Sequence, residues 1–223
     1  MSQKVNILHL EDNQRDAELV EALLHSNDID CTITWVESES AFTTALGKGD
    51  IHLIISDYAL PDFNGLAALK IATQTSPETP FILFSGTLGE EAAIDCLRNG
   101  AIDYVLKHRC KRLIPAVRRA LSDAQQRHQR QLAEDALRLR NCAIEASVNA
   151  IIITNNISPH RPIEYVNPAF ERMTGYTAAE AIGHNCRFLQ GENPDLSEVE
   201  GIRAIIREQR EGRVIIKNYR KDG

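Results

Sequence analysis

The sequence predicts an α/β fold, a doubly wound five-stranded parallel sheet, then a long connecting helix and a smaller α+β segment. Three observations predict it. Five short apolar runs alternate with helical patterns between residues 4 and about 120. One stretch with helical periodicity and no internal breaker follows. From about residue 148 the pattern turns to a strand pair with short helical pieces.

The apolar runs are VNILHL (5–10), CTITWV (31–36), IHLIIS (51–56), FILFS (81–85) and IDYVL (102–106). Between them lie RDAELVEALLHS, ESAFTTALGKG, GLAALKIATQTS and GEEAAIDCLRNG. Strands that alternate with helices imply βαβ crossovers, which cover both faces of a parallel sheet. Gly47, Gly49, Pro77 and Gly100 fall where helices should stop.

Residues 111–147 carry Pro115 near their start and no later Pro or Gly. Apolar residues recur at Val117, Leu121, Ala124, Leu132, Ala136, Leu139, Ala143 and Ile144, mostly three or four apart, so one long helix is expected. Its middle, QQRHQRQ, is too polar to bury alone. Either it is a solvated fifth helix with a frayed tail, or residues 123–147 are a connector paired with a second chain as a parallel coiled coil. The second is favoured, because roughly thirty helical residues without a partner are marginal.

Beyond it, AIIITNN and PIEYVN read as two strands joined by a turn around ISPHRP. Short helical pieces follow (PAFERMTG, TAAEAIG, CRFLQ), then a helix LSEVEGIRAIIREQREG and a strand RVIIKNY. RKDG then reads as a hairpin turn with no second strand, so this domain is expected to be cut short.

Bulk properties exclude several classes. Aromatics are only 5% of the 223 residues, against a stacking platform for single-stranded nucleic acid, and a net charge of −6 offers no general basic surface to DNA or an anionic membrane. No run approaches the length of a membrane span. Five scattered cysteines (Cys31, Cys96, Cys110, Cys142, Cys186) form no CxxC pair, which fits a reducing cytoplasm rather than disulfides or zinc.

Two constellations carry chemistry. Glu11 and Asp12 follow the first strand, Asp57 the third, Ser85 ends the fourth and Lys107 follows the fifth. Open α/β sheets bind ligands outside the carboxyl ends of their strands, so these groups meet at one rim. Clustered carboxylates call for a hard cation such as magnesium. One of them can then act as a nucleophile toward a phosphoryl group, whose oxygens a hydroxyl and an ammonium would hold.

With those residues in that order, 1–122 resembles the receiver domain of bacterial two-component response regulators: the acidic pair, SDYALPDFNG, FSG and DYVLK. The resemblance implies that Asp57 accepts phosphate from a histidine kinase or phosphotransfer protein. It further implies that Glu11, Asp12, Asp57 and the Ala59 carbonyl bind Mg²⁺, that Ser85 and Lys107 contact the phosphoryl group, and that Tyr104 is the switch aromatic. One departure is His108, where the family has proline after the lysine.

The second constellation is GHNCRFLQG (183–191). Asn185 can cap a short helix beginning near Cys186. A thiol at a helix start beside Arg187 would have its thiolate favoured. Packing alone also accounts for such a cysteine. With the preceding YVNPAFERMTGYTAAEAIG, however, 148–223 resembles the light-oxygen-voltage (LOV) class of PAS domains.

That resemblance implies a bound flavin mononucleotide and a reversible blue-light adduct at Cys186. Asn185 and Gln190 would line the flavin, and Arg187 and Arg203 would hold its phosphate. Ile152, Thr154, Leu189, Val199, Ile202 and Ile206 would pack on ring or ribityl chain, and Asn218 would bond the pyrimidine edge. Two further strands that the family carries, with an asparagine, a phenylalanine and a glutamine for the flavin, are absent.

The expected function is a cytoplasmic signalling protein with two inputs acting on the long helix, dimeric through it, with no enzyme activity of its own in these residues and no nucleic-acid or membrane partner. A kinase or cyclic-dinucleotide output would lie past Gly223. The alternative is a phosphoacceptor and dimerisation module with a flavin-free PAS segment. An autonomous phosphatase fits poorly, since residue 59, where a second acid belongs, is Ala.

Overall fold

A computed structural model describes residues 4–61, 63–86, 90–191 and 196–223. Asp62 and Gly89, expected in a loop and at a helix start, lie outside the described residues. The chain divides into two compact units, Met1–Gln131 and Leu132–Gly223.

In the first unit, β1 (Val5–Leu10), β2 (Cys31–Val36), β3 (Leu53–Ser56), β4 (Phe81–Ser85) and β5 (Asp103–Leu106) form one parallel sheet in the order β2-β1-β3-β4-β5. Helices α1 (Gln14–Ser26), α2 (Glu39–Gly47), α3 (Gly65–Thr75), α4 (Glu90–Arg98) and α5 (Leu113–Glu145) connect and cover it. Asn13, Ser38 and Asn64 cap α1, α2 and α3, each side chain accepting a first-turn N–H. The strand order reverses beside β1, so the carboxyl ends of β1 and β3 are neighbours at the switch point.

Strand alternation splits the core in two. Ile7, Ile55, Ile82 and Phe84 face Val20 and Leu24 of α1 and Leu113, Val117 and Ala120 of α5. Leu8, Leu10, Ile54 and Leu83 face Phe42 and Leu46 of α2 and Leu69 and Ala72 of α3. Period-two side chains on a sheet buried on both faces demand such double burial.

After β5, Lys107–Arg112 form a 3₁₀ helix interrupted at Arg109 (φ −116°, ψ 38°), the residue that follows His108. Pro115 then falls in the first turn of α5, where a missing N–H costs nothing. The expected single long helix is present. It buries Leu113, Ile114, Ala116, Val117 and Ala120, and its later part is exposed, Leu132 at 56% and Leu139 at 73%.

In the second unit, β6 (Ile152–Thr154) and β7 (Ile163–Val166) pair antiparallel with an irregularity between Ile153 and Thr154. Next come α6 (Pro168–Thr174), α7 (Ala178–Ala181), a 3₁₀ turn Cys186–Gln190 and α8 (Leu196–Arg207). Ile163, Val166, Phe170, Ala181 and Leu189 form the core.

Asn167, 1% exposed, ties the unit together. Its Oδ1 accepts from the N–H groups of Ile151 and Phe170, and its Nδ2 donates to the Ile144 and Asn149 carbonyls. All its side-chain hydrogen-bonding capacity is thus spent on backbone groups.

Two expectations need correction here. The helix expected to reach Gly212 stops at Arg207, soon followed by left-handed Gln209 (φ 51°). RVIIKNY is not a strand: residues 210–220 belong to no ladder among the described residues. A strand exists only through a neighbour's hydrogen bonds. This segment has isolated ones instead, such as Tyr219 N–H to the Leu189 carbonyl (2.7 Å), and Ile215 is 84% exposed. Among the described residues no helix is long and apolar enough to cross a membrane.

Candidate functional site

The carboxyl rim of the first sheet gathers the acids. The ladder from β1 continues into Glu11, whose N–H donates to the Val36 carbonyl, and Asp57 N–H donates to the Leu10 carbonyl. Those bonds bring Glu11, Asp12 and Asp57 together, with a carboxylate oxygen from each within 4.8 Å of the others. Glu11 is wholly buried, Asp57 nearly so, and Asp12 exposed.

Lys107 Nζ lies among them. It is 2.6 Å from Asp57 Oδ2, 2.6 Å from Asp16 Oδ2 and 2.8 Å from Glu11 Oε2. The first two contacts are hydrogen bonds, and the third is an ion pair off the direction a hydrogen bond needs. Burial works to lower the Lys107 pKa, but contacts with Asp16, Asp57 and Glu11 outweigh it and raise the pKa. The lysine is therefore held as an ammonium.

Glu11 is pushed up to about 7, first by burial and then, against the help of Lys107, by the nearby Asp57 charge. The one Lys107 ammonium does not balance the three clustered carboxylates, which leaves a place for a cation. The site's hard oxygen donors fit a magnesium-like ion, which the chain would hold through Glu11, Asp12 and Asp57.

The phosphoryl-side residues are placed as follows. Asp57 Oδ1 accepts from the Tyr58 and Ala59 N–H groups, which leaves Oδ2 facing Lys107. Ala59 is exposed and bridges to Asn64 across the loop. Ser85 is buried at the end of β4, and Tyr104 is half-buried against the α2–α3 side of the core. Gly65 opens α3 so close to this loop that a Cβ there would stand 2.6 Å from the Asp57 carbonyl oxygen and 2.8 Å from Tyr58 Cα.

Sequence reasoning missed two residues. Asp16 takes Lys107 although 91 positions separate them; the available signal was an acid four residues past Asp12, in the first turn of a helix beginning at the rim. His9 is wholly buried with neither ring nitrogen hydrogen-bonded, and burial pushes it down to about 4, so it is neutral. Nothing in the strand pattern distinguished it from a packed residue.

In the second unit Cys186 opens the 3₁₀ turn behind Asn185, whose Oδ1 accepts from Arg187 N–H (3.1 Å) and Arg187 Nε (3.2 Å). Asn185 Nδ2 donates to the His160 carbonyl at 2.6 Å. The expected thiolate is corrected: burial pushes the Cys186 thiol up. A five-residue turn supplies little dipole, and the Arg187 guanidinium is turned to Asn185.

The structure brings Cys186, Ile152 and Phe188 against the core that contains Leu189. Gln190 and Thr154 are half-buried. Val199, Ile202 and Ile206 share one face of α8, with Val199 buried and the others half-buried. Arg187, Arg203 and Asn218 are exposed, and Arg203 Nη1 lies 3.5 Å from Glu200 Oε2. Gly191 (φ 70°) closes the turn with its Cα under the Tyr219 ring, where a Cβ would come within 2.7 Å of Cδ2.

Fold and site define a class: a parallel 2-1-3-4-5 α/β domain with a lysine-bridged acid pocket at its rim, followed by a small α+β domain built around a cysteine turn. The profile of the response regulator receiver domain matches residues 7–118, half of the chain, and that of the PAS domain matches 148–223. The chain belongs to the response regulator receiver family, and its second unit matches the PAS domain.

Over 81 residues (36% of the chain) it is 48% identical to a blue-light photoreceptor of Listeria innocua serovar 6a, covering 32% of that protein. Over 81 residues it is 42% identical to a blue-light-activated histidine kinase of Brucella canis, covering 17% of it. The chain thus spans about a third or less of these relatives' length. The signal receiver domain of an HD domain-containing protein from Pseudomonas fluorescens Pf-5 superposes with a TM-score of 0.51 at 21% identity, covering 56% of this chain and 99% of that one. This last likeness is one of fold.

Proposed function

We propose that this chain is a phosphorelay signalling protein in which Asp57 accepts a phosphoryl group and Cys186 reports blue light. Residues 1–122 are the receiver, 123–147 a helical connector and 148–223 the light-sensing domain. The observation that carries the first half is the 2.6 Å contact of Lys107 Nζ with Asp57 Oδ2 inside the Glu11–Asp12–Asp57 cluster.

The donor is a phosphohistidine of a kinase or phosphotransfer protein. Its P–N bond breaks as a P–O bond to Asp57 forms, and the freed imidazole takes up a proton. A divalent cation held by Glu11, Asp12, Asp57 and the Ala59 carbonyl would neutralise the incoming oxygens. Backbone N–H groups fix Asp57 Oδ1 and so present Oδ2. Lys107 and Ser85 take the remaining phosphoryl oxygens, and Tyr104, half-buried against the α2–α3 side of the core, is the switch aromatic.

On the light-sensing side, a neutral half-buried thiol, the Asn185 and Gln190 amides and an apolar cluster fit the chemistry of a flavin mononucleotide. Bound flavin would supply blue-light absorption and a ring carbon to which the Cys186 sulfur bonds reversibly. Leu189, Ile152, Thr154, Val199, Ile202 and Ile206 would exclude water from the ring, Asn218 would bond its pyrimidine edge, and Arg187 and Arg203 would hold its phosphate. Both inputs act on α5, which starts on the first core and whose Ile144 carbonyl accepts from Asn167. A second reading, a phosphoacceptor and dimerisation module without flavin, is favoured by the exposure of Asn218 and the engagement of the Asn185 amide with His160.

Two measurements test the pair. A small-molecule phosphodonor labels the wild-type chain and fails to label Asp57→Ala; labelling of that variant overturns the phosphoacceptor assignment. The purified chain absorbs in the blue and bleaches under blue light, and Cys186→Ala absorbs without bleaching. A colourless wild-type chain selects the second reading.

A further inference from the structure

Lys107 makes three carboxylate contacts, and only two of the acids belong to the cation cluster. Glu11 and Asp57 are shared between lysine and cluster; Asp16 is not a member of it. A divalent cation and an ammonium that share the Glu11 and Asp57 carboxylates repel each other. The lysine therefore needs an anion outside the cluster if both are to occupy the pocket.

Asp16 meets that need by construction. It is the third residue of α1 after the Asn13 cap, with its N–H donating to the Asn13 carbonyl at 3.0 Å. A negative side chain in the first turn of a helix interacts favourably with its positive terminus. The same cap fixes Glu11, because Asn13 N–H donates to Glu11 Oε1 at 3.2 Å. Lysine anchor and cation ligand are thus mounted on one turn. Lys107 reaches Asp16 past Gly86, where a Cβ would come 4.0 Å from Lys107 Cδ.

We propose that Asp16 is a positioning residue that anchors the Lys107 ammonium outside the cation cluster, so that a divalent cation can take Glu11 and Asp57 without expelling the lysine. The inference rests on the phosphoacceptor reading of the pocket. Without Asp16, the ammonium falls wholly on Glu11 and Asp57 and competes with the cation.

The test is a Mg²⁺ titration of the full chain, read by calorimetry and by the fluorescence of Trp35, the single tryptophan, whose Nε1 donates to the Glu11 carbonyl at 2.7 Å. Asp16→Asn weakens Mg²⁺ binding about tenfold when Lys107 is present and less than about twofold in a Lys107→Ala background, while Asp16→Glu stays near wild type. A direct effect of the lost charge on the cation would weaken binding equally in both backgrounds. That result, or no weakening in either, overturns the anchor and leaves the phosphoacceptor reading standing. A wild-type chain with no saturable response in calorimetry overturns that reading and the anchor with it.

Discussion

The two units carry their candidate chemistry differently. In the first, the functional side chains stand where parallel strands end, and the sheet's hydrogen bonds bring residues far apart in sequence within ion-pair distance. In the second, the residues assigned to one ligand range from buried Leu189 to exposed Asn218. The difference teaches that a sheet rim preorganises a site by backbone geometry alone. Residues spread over a short sheet, a 3₁₀ turn and a single helix have no such common frame.

The largest expected effects are on the cores. Phe84→Ala in the first unit and Phe170→Ala in the second each remove a wholly buried ring and cost about 3–5 kcal/mol. Chemical denaturation followed by hydrogen exchange in each unit checks this. Equal protection losses in both units for either variant would break the picture of two separately built cores.

Next comes Asn167→Ala, expected to cost about 3 kcal/mol because four backbone groups lose a buried partner at once. A denaturation midpoint within error of wild type would remove Asn167 as the organiser of the second unit.

Gly65→Ala sharpens the claim about the rim. Its Cβ would press on the Asp57 carbonyl and Tyr58, so phosphodonor labelling should fall about tenfold or more while the fold persists. Gly191→Ala is the matching change in the second unit; it should displace Tyr219 and leave labelling untouched.

The smallest effect is a pH dependence. Glu11 takes a proton near pH 7, and a proton on it excludes a cation. Mg²⁺ affinity should therefore fall roughly tenfold from pH 8 to pH 6, read by calorimetry. Asp12→Asn should weaken binding but keep that slope, because Glu11 remains the group that titrates.

Much of the fold is legible in the residue pattern. Strand and helix order follow from periodicity, because side-chain alternation on strands and the helical repeat are local properties. The rim residues Glu11, Asp12, Asp57, Ser85 and Lys107 are legible for the same reason: each ends an apolar run or follows it within two residues. Asn185 is legible as a cap. RVIIKNY misleads, since its alternation resembles a strand but pairing needs a neighbour that periodicity cannot supply. The thiolate expected at Cys186 fails because burial, a property of packing, pushes the thiol up.

The sequence by itself determined the doubly wound sheet, the long α5 helix, the acids at strand ends and the cysteine turn, because apolar spacing and capping act within a few residues. Only the tertiary structure decided that Lys107 bridges Asp57, Glu11 and Asp16, that His9 is buried and neutral, and that Gly191 lies beneath Tyr219. Those facts depend on which chain segments become neighbours, and ion pairing and desolvation respond to distance in space rather than separation along the chain.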